Sequence, residues 1–151
     1  MGTRSITHIQ FRHEGEVQPV ATFYRQYDGY PEIHGLEMAK ILNGFTKDSQ
    51  DRMDTQLGKF ANGHDDMAFQ FMAILKSAHG PYNLYLTPVG GENMGEEYTY
   101  TVTFEEKDTF ISFVSHYEPG DQGELAPAQF IQTYDPDLQV QQPAQEPDLP
   151  F

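Results

Sequence analysis

The chain has 151 residues, no cysteine and a net charge of -14 at pH 7. That length suits one domain that needs no staples, and the missing cysteine removes disulfides, thiolate metal sites and cysteine nucleophiles. The charge repels phosphate backbones, so direct binding to DNA or RNA is not expected, and no apolar run reaches the roughly 18 residues that a membrane span needs.

The charge is unevenly spread. All nine Lys and Arg lie between Arg4 and Lys107, and from Glu118 onward there are seven acids and no base. Such acidity keeps a protein soluble, and it also attracts basic partners, including protein surfaces that grip DNA. The first fifteen residues carry Arg4, Arg12 and Glu14 and no apolar core, so no signal peptide is expected. The expected location is the cytoplasm.

Ser5 to Phe11 alternates, with Ser5, Thr7, Ile9 and Phe11 on one face and Ile6, His8 and Gln10 on the other, a strand period. A polar turn around Gly15 leads to a second strand over Val17 to Tyr27, with Pro19 arguing for a strand start or an edge. Gly35 to Gly44 reads as a short helix with Leu36, Ala39 and Leu42 on one stripe. Phe45 to Gly63 is a long polar excursion. Asp65 to Ser77 is the best helix: two acids open it, Met67, Phe71, Ile74 and Leu75 build its apolar face, and Gly80-Pro81 ends it. Strands follow over Tyr82 to Thr87, Glu97 to Phe104 and Thr109 to His116.

The order β-β-α-α-β-β-β predicts an α+β fold: an antiparallel sheet of about five strands with two helices packed on one face. The single domain is expected over 1-117. Residues 118-151, with six prolines, read as an extended acidic tail, within which Ala128 to Tyr134 has the apolar residues to dock on the body or on a partner.

The opening Met1 to Ser5, the segment Tyr24 to Pro31, Asn62-Gly63, the aromatic strand Tyr82 to Pro88 and Gly95 to Tyr98 resemble a group of small bacteriophage- and bacterium-encoded proteins of no known activity. The resemblance covers roughly residues 1 to 104. It implies a phage or prophage setting and no particular chemistry. The chain departs from the group at Met94, where a cysteine is expected, at His64-Asp65-Asp66, and in its acidic tail.

The polar residues of these segments are the candidate ligand-binding set: Arg4, Arg25, Tyr27, Asp28, Tyr30, His34, Asn62, Glu97 and Tyr98. Paired N-terminal strands would bring Arg4 and Arg25 to one end of the sheet, where two guanidiniums and tyrosine rings suit a phosphate and a base. The competing structural account is turn chemistry at Asp28-Gly29 and Tyr30-Pro31, with Arg25 paired to Asp28 or Glu97. A metal set of His34, His64 and Asp65 or Asp66 lacks ligand spacing, and no nucleophile or phosphate-loop motif is present. No catalytic residue, metal or cofactor is therefore assigned.

Three functions fit. The first is a non-enzymatic phage-type binding protein acting in counter-defence, by sequestering a small nucleotide or by covering a host protein, including by imitating DNA charge. The second is a virion or assembly component, a homo-oligomer whose tail wraps a neighbour. The third is a small nucleotide-processing enzyme with His34 or Asp28 as base.

Overall fold

The computed structural model describes residues 2–45, 55–92 and 94–140. Residues 46–54 of the polar excursion, and the tail from 141 on, lie outside the described residues. Six strands form one mixed sheet: β1 (Ser5–His13), β2 (Glu16–Arg25), β3 (Leu84–Thr87), β4 (Tyr98–Glu105), β5 (Asp108–Ser115) and β6 (Gln122–Leu125), in the spatial order β3-β2-β1-β4-β5-β6. The helices are α1 (Leu36–Asn43), α2 (His64–His79), α3 (Pro127–Tyr134) and the single turn α4 (Pro136–Val140); a π-helical turn, Pro31–Gly35, leads into α1.

The fold is α+β and the sheet is mostly antiparallel, with two differences from the expected plan. First, β1 and β4 are parallel, from Ser5 beside Tyr98 to Arg12 beside Glu105. The cause is the Pro88 to Glu97 connection. It leaves β3 at one edge, passes β2 and β1, and starts β4 on the far side. It crosses the face away from the core helices: the Gly90 N–H donates to Thr22 Oγ1 (2.9 Å) and Gly95 sits against the Arg4 side chain. A loop rich in glycine gives no periodic signal, so its path was not legible. Ile6 is fully buried although it lies outside the main core cluster.

Second, the chain after Tyr117 is not simply an extended tail. Residues 122–125 pair with β5 as the outer strand β6, and α3 inserts Phe130, fully buried, among Tyr100, Phe113 and Gly35. Arg12 fastens β6 to the body by salt bridges to Glu124 (2.7 Å) and Glu105 (2.6 Å). Proline at the first position of α3 and of α4 starts those helices rather than breaking them. The packed body therefore runs past the expected boundary at 117.

The core lies between the sheet and the helices. Ile9, Tyr100, Val102, Phe104 and Ile111 meet Met38, Leu42, Phe71, Leu75 and Phe130. In β4, Tyr100, Val102 and Phe104 alternate inward and are fully buried. In β2 the register shifts at Gln10 opposite Pro19, leaving Val20 as an extra residue; a bulge tolerates the missing proline N–H.

Candidate functional site

The Tyr24 to Gly35 stretch lies at the end of the sheet where β2 stops and the π-helical turn begins. Arg25 is the last residue of β2, on the helix-facing side between Ser5 and Leu84. Its side chain is only 2% exposed, so its charge needs internal partners. Arg25 Nε donates to the Tyr27 carbonyl (2.6 Å), and Nη1 donates to His34 Nδ1 (3.0 Å) and Glu37 Oε1 (2.9 Å).

A guanidinium only donates, so His34 Nδ1 must accept and Nε2 carries the proton. That proton is directed at Thr7 Oγ1 (2.9 Å). The imidazole stands edge-on to Tyr100, with centroids 4.9 Å apart. Burial, then the charges of Arg25 and His79, hold its pKa well below the usual histidine value. His34 is thus a neutral core histidine with both ring nitrogens engaged.

The network closes on itself. His79 Nε2 donates to Glu37 Oε1 (2.8 Å), Asn83 Nδ2 approaches His79 Nδ1 (3.5 Å), and Asn83 Oδ1 accepts the Tyr27 N–H (2.7 Å). Arg25, Tyr27, Asn83, His79 and Glu37 form a ring joining β2, the approach to β3, and helices α1 and α2. Asn83 has φ 74°, a left-handed conformation that asparagine tolerates.

Over this internal ring lies an exposed surface. Asp28 takes φ 61°, and the turn is pinned by the Gly29 N–H to the Thr3 carbonyl (2.9 Å) and by Tyr100 OH to the Gly29 carbonyl (2.6 Å). The Ile33, His34 and Gly35 N–H groups all point at the Tyr30 carbonyl. Held this way, Tyr27, Tyr30 and Ile33 are each about half exposed. The Tyr30 ring leans on Tyr98, which rests on Phe113. The Tyr98 pKa is raised, first by partial burial and then by Glu32, Glu118 and Glu97, so three carboxylates act on Tyr98. Tyr134 is raised in the same way, by burial and then by Glu32.

The nine predicted residues therefore separate. Arg25 and His34 are internal, and Arg25 pairs with Glu37 rather than with Asp28 or Glu97. Tyr27, Asp28, Tyr30, Glu97 and Tyr98 gather at the exposed patch. Arg4 shares that end of the sheet, but its guanidinium lies against Gly95 on the opposite face, so it does not meet Arg25. Asn62 donates its N–H to Asp66 at the start of α2, while His79 ends that 16-residue helix, roughly 24 Å away. His64 also starts α2, against Phe11 and Phe104, and is not brought to His34. A cavity of about 480 Å³ at that far end, lined by Phe45, Phe60, His64, Lys107 and Phe110 among others, includes none of the nine.

Sequence reasoning missed Glu37, His79 and Asn83 in the ring, and Glu32, Ile33 and Glu118 at the surface. Glu37 lies three residues from His34, a helical neighbour spacing, and that was the one local signal available. The site thus defines an α+β protein with an internal ionic clamp beneath an exposed tyrosine and carboxylate surface. No family model, curated protein or solved structure matches the chain. No helix among the described residues is long and apolar enough to cross a membrane.

Proposed function

We propose that this is a non-enzymatic binding protein of a phage or prophage that acts by covering a basic surface of a host protein. The observation that supports this most is the rigid turn presenting Tyr27, Tyr30 and Ile33 to solvent beside Glu32, Glu97 and Glu118. Tyrosine faces and carboxylates together suit arginine and lysine side chains, by cation–π attraction and charge pairing. Aromatic anchors give such a surface its affinity, and the net charge of -14 speeds encounter with a basic partner. A partner that normally grips DNA would be blocked by the same charge. The reading as a nucleotide binder or nucleotide-processing enzyme has less support. Its anchors, Arg25 and His34, already hold each other, and no phosphate reaches them without breaking the ring.

The test is capture from host lysate with the wild-type protein and with a Tyr30→Ser/Ile33→Ser variant. The expected result is one host protein retained by wild type, lost with the variant, and released by about 0.5 M salt, where exposed charges are screened. Equal retention by both proteins counts against the patch. A nucleotide-sized mass released on denaturing protein purified from prophage-carrying cells, seen by native mass spectrometry, overturns the reading in favour of a small ligand.

A further inference from the structure

The edge of the sheet formed by β3 carries a second surface of different chemistry. Tyr82, Tyr85, Leu86 and Val89 are all exposed within eight residues of chain, and Leu86 is 78% exposed. Phe69 on α2 is 73% exposed. Between α2 and β3 runs a groove of about 250 Å³ lined by Phe23, Met72, Leu75, Leu84, Leu86 and the Lys76 stem, with Tyr85 at its rim. Contiguous apolar surface of this kind on an open sheet edge marks an association site.

The backbone shows what the edge can pair with. The Gln26 N–H donates to the Asn83 carbonyl, so Asn83, Tyr85 and Thr87 aim their backbone groups at β2, and Leu84 and Leu86 aim theirs outward. At Leu84 those groups are already taken. Its N–H donates to the Tyr82 carbonyl (2.8 Å) and its carbonyl accepts Lys76 Nζ (2.8 Å). Among the described residues nothing bonds the outward N–H and carbonyl of Leu86. One residue with both groups open is the minimum unit of an antiparallel pair about a two-fold axis, in which each Leu86 donates to and accepts from the other.

Charge selects a second copy as the occupant. The chain holds 23 acids, yet the run from Met67 to Gly91, which contains most of α2 and all of β3, holds none. The groove carries one charge, Lys76, which also lies over the Tyr85 ring. Two chains of net charge -14 repel over most of their surfaces, and this side is where they approach with the least like charge between them.

We propose that two copies pair through β3, antiparallel about Leu86, with each Leu86 side chain entering the mouth of the other's groove beside Phe69 and Met72. The two sheets become one continuous sheet.

The test is analytical ultracentrifugation across a concentration series, for wild type, Leu86→Glu and the charge-neutral Phe69→Ser. Both side chains are mostly solvent-exposed, so both variants keep the wild-type circular dichroism and melting behaviour. Wild type is expected to sediment as a dimer. Leu86→Glu is expected to sediment as a monomer, and Phe69→Ser to weaken the dimer at least tenfold. Raising salt is expected to tighten the wild-type dimer by screening repulsion. A wild-type monomer throughout the series, or a dimer indifferent to both substitutions, overturns the proposal.

Discussion

Gly35 and Phe130 are packed so closely that a Cβ on Gly35 would lie 2.6 Å from Phe130 Cζ. The glycine ends the π-helical turn and the phenylalanine comes from α3, so this contact locks the polar turn to the C-terminal helix. Gly35→Ala forces a fully buried ring to move, and Phe130→Ala leaves a cavity costing about 3–5 kcal/mol. Both variants are expected to melt well below wild type, with Phe130→Ala the larger loss, as thermal denaturation will show.

The same contact makes a truncation informative. A chain ending at Tyr117 loses β6, α3 and the Phe130 and Tyr134 rings that pack on Phe113. It is expected to lose cooperative unfolding, whereas a chain ending at Val140 keeps it. A calorimetric scan of the two chains decides this; a sharp transition for the shorter one would place the domain boundary back at 117.

Arg25 is expected to matter for stability more than for any ligand. Arg25→Met leaves Glu37 with His79 as its remaining partner and His34 Nδ1 without a donor. Breaking a buried pair from one side costs about 3–5 kcal/mol, and the exposure of Glu37, at 30%, puts this case at the lower end. Arg25→Lys does not restore it, because one ammonium cannot reach the Tyr27 carbonyl, His34 and Glu37 together. Urea titration of the three proteins measures this directly.

His34 sets a pH dependence. Its folded pKa lies well below the unfolded value of 6.5, so the unfolded chain binds the proton first as pH falls. The stabilisation is complete above that value. It is lost progressively as pH drops from 6.5 toward the folded pKa, with a limiting slope of about 1.4 kcal/mol per pH unit. His8, also lowered chiefly by burial, contributes with the same sign. His34→Gln keeps a neutral acceptor and donor, so stability measured between pH 7 and 5 is expected to fall less steeply in the variant, by up to one proton.

The carboxylates around the exposed tyrosines are detectable spectroscopically. After burial, Glu32 is the leading influence that raises both Tyr98 and Tyr134. Glu32→Gln is expected to let both phenols ionise at lower pH than in wild type, followed by absorbance of the phenolate. An unchanged titration would place Glu32 away from the patch.

Strands β1 to β5 and both main helices were legible because their apolar periods are intact: Tyr100, Val102 and Phe104 alternate inward on β4, and Ala68, Phe71 and Leu75 line one face of α2. The parallel pairing was not, because it depends on the path of a glycine-rich loop that carries no period. The docking of Ala128 to Tyr134 on the body was legible from its apolar residues, whereas β6 and the helical form of that segment were hidden by composition, since prolines that open helices look like those of a tail. At the site, the residue types were visible and their roles were not. Arg25 and His34 suggested a phosphate site, but exposure is decided by α1 and α2 closing over them, and the partners Glu37 and His79 come from those helices.

The parallel pairing of β1 with β4 bears on how the chain acquires its fold during synthesis. Gln10 hydrogen-bonds Thr103, 93 residues later, so the first strand made becomes an inner strand of the sheet whose second neighbour leaves the ribosome far behind it. Until then the β1–β2 hairpin has an open inner edge and an uncovered apolar face, and such intermediates are prone to aggregate. Closure waits further for Phe130. The packed core is therefore completed only once Phe130 has emerged, and the acids interspersed through the nascent chain keep that waiting hairpin dispersed.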